Sequence, residues 1–349
     1  MIAAIYTQDG EFTVTETAIP EVGPGELRLR VTAASICGSD LKITRHGHRK
    51  LAAGQSIVLG HEFVGVIDQV GSGVTGYAEG MRVGVAPNAG CGHCDMCLAA
   101  KSNYCPDYTA FGIDRDGAHA THVLIPARFV MQGNVVPLPD AVSDTEASLL
   151  EPCSCVVNAV RGAQVGLGDS VVIYGVGPMG LLHVMLCRLA GAAQVIAVDP
   201  ASDRLTRARA LGCDMLINPL VEDVRQRVQE ATQGRGAQVV ITACPVAAVQ
   251  TEAVTLLAPF GRLCLFGSLP KGNDGVPLDT NLIHYKNLYV TGSTGGSIAD
   301  YRLALRLVQS RRLDLESLVS DRFALDQLEA GYRTALAGAV GKVVFLRDS

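Results

Sequence analysis

The sequence predicts an α/β chain of two domains, a doubly wound parallel sheet joined to a β-rich partner, and three observations predict it. The chain has 349 residues, long for one core and comfortable for two ordinary domains. Its first 150 or so residues read as short strands parted by glycine turns. From about Asp169 onward, apolar strands alternate with helical stretches, the rhythm of a parallel sheet with covering helices.

In the first part, Leu27-Arg28-Leu29-Arg30-Val31 alternates apolar and polar side chains, as a half-buried strand does. Val64-Gly65-Val66-Ile67 and Met81-Arg82-Val83-Gly84-Val85 read as further strands, with Gly71-Ser72-Gly73 and Gly76 as turns. In the second part the strands are Ser170 to Tyr174, Val195 to Val198, Val239 to Ile241 and Arg262 to Phe266. Another lies near Leu288 to Gly292, helical segments follow, and Lys342 to Leu346 reads as a final strand. No internal repeat or low-complexity linker is visible.

Composition excludes several classes of function. The hydrophobic fraction is 48% and the charged fraction 18%, a well-packed globular balance rather than a disordered one. Trp is absent, aromatics are 5% and the net charge is -5, so no nucleic-acid partner is expected. The apolar run Leu181 to Ala190 is short and broken by His183 and Arg188, so no membrane partner is expected. Met1 to Ile5 runs into strand-like sequence with no basic start and apolar core, which places the chain in the cytoplasm. In a reducing compartment the 11 cysteines favour metal binding over disulfides.

Gly175-Val176-Gly177-Pro178-Met179-Gly180 has the spacing G-x-G-x-x-G, follows the strand ending at Tyr174 and opens a helix near Pro178. Gly175 permits a tight turn, Gly177 lets backbone approach a pyrophosphate, and Gly180 allows close helix–strand packing. The N-terminus of the helix presents free N–H groups to phosphate. Asp199 ends the next strand, where a carboxylate accepts hydrogen bonds from an adenosine ribose and repels a 2′-phosphate. NAD is therefore expected over NADP, although Arg204 is placed to reach a 2′-phosphate or to stack on adenine.

Cys91, Cys94, Cys97 and Cys105 put four thiols on one loop, with Gly90 and Gly92 giving it backbone freedom. Four thiolates with no open position describe a structural zinc site, with His93 a bystander. A second set is Cys37-Gly38-Ser39-Asp40 with Gly60-His61-Glu62. Cys, His and a carboxylate form a mixed ligand set that leaves zinc room for a substrate oxygen. Taken alone, residues so far apart in sequence serve a structural role as often as a catalytic one.

Together these segments, in this order and with Leu150-Glu151-Pro152, resemble the zinc-dependent medium-chain dehydrogenases, most closely the polyol (sorbitol-type) and threonine dehydrogenase branch. The similarity spans essentially the whole chain. It implies a GroES-like catalytic domain over 1–152 and 292–349, with the zinc lobe at about 88–108, and a Rossmann domain over 153–291, the active site lying in the cleft. It implies two zinc ions per subunit, one catalytic on Cys37, His61 and Glu62 and one structural. Glu151 matches a glutamate that approaches the catalytic metal directly or through water, and Ser39 the hydroxyl that takes the substrate proton. Relatives form dimers or tetramers, and a homotetramer is expected ahead of a homodimer.

The chain departs from the pattern after Ser39. Many relatives carry a histidine three residues on, completing a proton relay; here the residue is Lys42, which leaves Lys42, His46, water or the cofactor ribose as routes. The stretch Lys42 to Lys50 is strongly basic: it reads either as a solvated loop or, through Lys42 and Arg45, as a site for an anionic substrate group. Thr291 to Ser297, small and hydroxylated, suits a polyhydroxylated substrate, and His119 and His122 are further candidates. The expected reaction is oxidation of a secondary hydroxyl of a small polyol, sugar alcohol or sugar acid to a ketone. The alternatives are a threonine-type amino-alcohol dehydrogenase, a sugar-phosphate dehydrogenase, and a non-catalytic nucleotide-binding relative.

Overall fold

The computed structural model describes residues 1–347 except Lys271 and Asp274. The chain forms two compact units, one comprising Met1–Ser154 and the residues from Gly296 on, the other Cys155–Gly295.

The second unit is built on a six-stranded parallel sheet. Across the sheet the strands run Met215–Ile217, Gln194–Val198, Ser170–Tyr174, Ala237–Thr242, Leu257–Leu265 and Tyr289–Gly292. Numbered in sequence this is 3-2-1-4-5-6, the doubly wound order, which reverses beside the first strand. Val171, Val172, Ile173, Val195, Ile196, Val239 and Val240 are all fully buried, because a parallel sheet is covered on both faces. The strand Leu257–Leu265 starts well before the apolar run at Arg262. It passes through Phe260 in the left-handed region, φ 60°, where the pairing with Ala237–Thr242 shifts register.

The first unit holds a seven-stranded sheet whose central strand is Leu27–Ser35. That strand pairs antiparallel with Glu62–Val70 on one side and with the final strand Lys342–Leu346 on the other, while His122–Ile125 pairs with its first half. A strand that precedes the second unit in sequence thus pairs with one that follows it. Its core packs Leu27, Leu29, Val31, Phe63, Ile67, Phe111, Phe129, Tyr332 and Phe345. No helix among the described residues is long and apolar enough to cross a membrane.

The helix Pro178–Leu189 buries His183 completely. Its Nδ1–H donates to the carbonyl of Met179 at 2.8 Å, its Nε2 has no hydrogen-bond partner among the described residues, and its ring meets Phe266 edge-on. Burial pushes its pKa down to about 4. The native state therefore stays unprotonated at His183 while the unfolded chain takes up a proton below pH 6.5. The corresponding stability is complete above that pH and is lost as the pH falls toward 4. Urea unfolding of His183→Leu should accordingly lose about 2 kcal/mol less than the parent between pH 6.5 and 5. Equal losses in the two proteins would reject this account.

Candidate functional site

Cys37 precedes the helix Gly38–His46, and its N–H donates to Asp40 Oδ2 at 2.9 Å, which closes the first turn. His61 follows Gly60, whose φ is 96°; a Cβ there would lie 2.4 Å from the His119 ring, so only glycine delivers His61 at this corner. Glu62 opens the next strand, which hydrogen-bonds to Leu27–Ser35. These three elements bring one donor atom each from Cys37, His61 and Glu62 within 4.8 Å of one another. The cluster is mostly buried, with His61 at 9% and Glu62 at 0% exposure.

The surroundings of the cluster fix each donor. Asp40 is fully buried, and its Oδ1 lies 3.4 Å from His61 Nδ1, leaving Nε2 facing the cluster; a carboxylate behind a histidine in this way sets its tautomer and orientation. Burial alone would raise the Asp40 pKa, but the facing His61 outweighs it and holds the carboxyl at about 2. Glu62 Oε2 accepts hydrogen bonds from Ser35 Oγ and Lys342 Nζ, and Oε1 is buried with no partner among the described residues. Burial would discharge Lys342, but Glu62 outweighs that cost and raises the pKa of the ammonium. A soft thiolate, an imidazole and one free carboxylate oxygen are donors that suit zinc. Ser39 Oγ stands 3.4 Å from His61 Nε2, at the edge of the cluster. Glu151 lies outside the cluster, 7% exposed in the first turn of the helix Leu150–Gly162.

The second cluster gathers the sulfurs of Cys91, Cys94, Cys97 and Cys105 within 4.8 Å. The N–H of Cys91 points at Cys105 Sγ at 3.2 Å and that of Cys94 at Cys91 Sγ at 3.3 Å, and hydrogen bonds led by the His93 amide lower the Cys91 thiol to about 6. Burial instead pushes the Cys97 thiol up to about 11, so a cation bound by all four sulfurs would have to displace its proton. His93 is exposed and turned to the carbonyl of Cys91.

In the second unit the glycine-rich turn follows the strand Ser170–Tyr174. Gly175 has φ 82°, a Cβ on Gly180 would lie 1.9 Å from the carbonyl oxygen of Gly175, and around Gly177 the space is open within 4 Å. Pro178 and Met179 form the first turn of the helix, so backbone N–H groups border that open space. Asp199 is 2% exposed and braces the turn, accepting from the N–H groups of Val176 and Ala201, both at 2.9 Å. Arg204 Nη1 approaches Asp199 at 3.9 Å.

Other candidates are drawn into structural work. Arg45 donates to the carbonyl of Leu336 at 2.6 Å, and Lys50 pairs with Asp114 at 3.0 Å. His48 is buried, its Nδ1 accepting from the backbone of Lys50 and Leu51, while Lys42 and His46 are exposed. His119 is fully buried between the Tyr332 hydroxyl and the Ser35 carbonyl and so is closed to a substrate, while the half-buried His122 lies 3.9 Å from Asp68. In the stretch Thr291 to Ser297, Asn158 donates to Ser293 Oγ and to the carbonyl of Gly295, and Ser297 caps the helix Ile298–Gln309.

Comparison with known proteins agrees with this geometry. Residues 23–140 match the alcohol dehydrogenase GroES-like domain, and residues 178–310 match the zinc-binding dehydrogenase domain. The chain belongs to the zinc-binding dehydrogenase family. It is 32% identical to the L-threonine 3-dehydrogenase of Pyrococcus horikoshii, covering 99% of this chain and 98% of that protein. It is 30% identical to the sorbitol dehydrogenase of Halalkalibacterium halodurans, with the same coverage, 99% and 98%. A zinc-binding dehydrogenase of Sinorhizobium meliloti, solved with NADP, superposes with a TM-score of 0.90 at 30% identity, over 99% of this chain and 98% of that one. As a member of the family the chain is an oxidoreductase acting on CH–OH donors, with zinc and a nicotinamide nucleotide as its cofactors.

Asp40, Ser35 and Lys342 were not among the functional residues legible in the sequence. Asp40 had a signal, since it sits in the quoted Cys37 to Asp40 segment three residues from a ligand candidate. Lys342 had none, being 280 residues from the carboxylate it holds.

Proposed function

We propose that the protein oxidises a secondary hydroxyl of a small polyol, sugar alcohol or sugar acid to a ketone, passing the hydride to NAD. The observation that carries this is the buried meeting of Cys37, His61 and Glu62 beside the hydroxyl of Ser39. Zinc held by those three residues would supply Lewis-acid polarisation of the alcohol oxygen. Ser39 is placed to accept the hydroxyl proton and pass it toward solvent, and a bound nicotinamide would supply the hydride acceptor. Asp40 keeps His61 in the tautomer that presents Nε2. Cys91, Cys94, Cys97 and Cys105 would hold the second zinc and with it fold their lobe. Arg45 and Lys50 are already engaged within the first unit, which favours a substrate recognised by its hydroxyls over one recognised by an anion at this stretch.

The second reading is oxidation of L-threonine, favoured by the identity to the Pyrococcus horikoshii enzyme over 99% of the chain. Purified protein assayed with xylitol, sorbitol, an aldonate and threonine decides between the two. A polyol or aldonate turned over at least about tenfold more efficiently than threonine is the expected result; the reverse order establishes the second reading. In the same assay NAD should serve better than NADP, because a carboxylate at Asp199, next to the glycine-rich turn, would repel a 2′-phosphate. Asp199→Ala should narrow that ratio by about tenfold or more, and an unchanged ratio would remove Asp199 from cofactor choice.

A further inference from the structure

Around Glu62 the two carboxylate oxygens are treated differently. Oε2 accepts from Ser35 Oγ, on the neighbouring strand, and from Lys342 Nζ, which arrives on the last strand of the chain. Lys342 is itself fixed, since it also donates to the carbonyl of Ile36 at 2.8 Å and is 3% exposed. Oε1 has no hydrogen-bond partner among the described residues, although it is buried. A carboxylate oxygen with no partner in the interior is costly unless a cation satisfies it.

We propose that Lys342, helped by Ser35, is a positioning residue for the catalytic metal: by occupying Glu62 Oε2 it leaves Oε1 as the single ligating atom and keeps the carboxylate from binding through both oxygens. The ammonium also changes the charge of the centre. Cys37 thiolate and Glu62 together balance a divalent cation, and the buried Lys342 ammonium offsets the buried Asp40 carboxylate behind His61. This rests on Glu62 being the third ligand.

The test uses cobalt(II) in place of the zinc at this centre, with zinc retained on the four cysteines, and reads cobalt affinity and the visible ligand-field spectrum. In Lys342→Met, Oε2 is released. Cobalt should bind about tenfold or more weakly, and the bands should lose intensity as the coordination number rises. Lys342→Arg should recover part of both signals, and Ser35→Ala should move them in the same direction by less. With Glu62→Gln in place, adding Lys342→Met should change neither. Should Lys342→Met fail to fold, Ser35→Ala carries the same comparison. Unchanged affinity and spectrum in Lys342→Met, or in Ser35→Ala in that event, overturns the proposal even if stability falls, because the ion pair would then only tie strands together. An unchanged spectrum in Glu62→Gln alone would instead overturn the ligand assignment on which it rests.

Discussion

A Cys37→Ala protein should bind one zinc ion per chain instead of two and lose dehydrogenase activity by about a thousandfold or more. The two clusters share no residue, so the loss is confined to the centre at His61 and Glu62. Lewis-acid polarisation is worth several kcal/mol of barrier, and each 1.36 kcal/mol is tenfold in rate, which sets the size of the effect. The fold should survive, because Cys37 stands at a helix N-terminus and the core of the first unit is built from other side chains. The coenzyme unit has a separate core around Val172, Ile196, Val240 and Leu263, so nucleotide binding should persist. Zinc analysis, nucleotide titration and initial rates on one preparation check all three. Two zinc ions with a rate within tenfold of the parent would sink the assignment of Cys37.

The second large effect is expected at Gly90, which ligates nothing. A Cβ on Gly90 would lie 2.4 Å from Cys97 Sγ and 3.3 Å from the Cβ atoms of Cys105 and Ser102. The backbone cannot withdraw, because the carbonyl of Gly90 accepts from Arg128 Nε at 2.6 Å and from Gln132 Nε2 at 2.7 Å. The sulfur cannot withdraw either without leaving the four-thiolate cluster. Gly90→Ala should therefore empty the structural zinc site while His61 and Glu62 keep theirs, the opposite of the Cys37→Ala pattern. A lobe held by four thiolates draws folding free energy from its metal, so the loss should cost about 2–4 kcal/mol and expose residues 91–105 to protease. Cys105→Ser should behave alike, because the buried Cys105 sulfur accepts the Cys91 amide. A Gly90→Ala chain with two zinc ions and an unshifted unfolding midpoint would show that the lobe yields more easily than its packing implies.

Much of the architecture could be read from the sequence because its signals are local. The glycine-rich turn, its preceding strand and its following helix are consecutive, and so are the spaced thiols of the lobe. The edges of elements were less legible. The strand holding Arg262 begins at Leu257, before the apolar run, because tertiary pairing carries it through the left-handed Phe260, which no periodicity marks. The partners of the candidate ligands were legible only where they lie close in sequence. Asp40 fell inside a segment already singled out, but its service to His61 depends on a corner at Gly60 packed against His119. His119 itself read as a candidate for the cleft because a histidine beside a glycine looks the same in sequence whether it is exposed or enclosed. The basic run after Ser39 shows the same limit: Arg45 finds a helix end 291 residues away and Lys50 a carboxylate 64 away, so what looks like a charged patch is partly consumed by the fold.

The placement of the last strand sets an order on biosynthesis. Ser35 and Glu62 precede the whole coenzyme unit along the chain, and Lys342 follows it. Until Lys342 is made the central strand Leu27–Ser35 lacks its neighbour Lys342–Leu346, and the Glu62 carboxylate has no counter-charge. A nascent chain can thus complete its nucleotide-binding sheet while the metal centre is still unfinished. Completion of the reactive centre thus waits on a strand that follows the coenzyme unit, rather than on the appearance of the ligands.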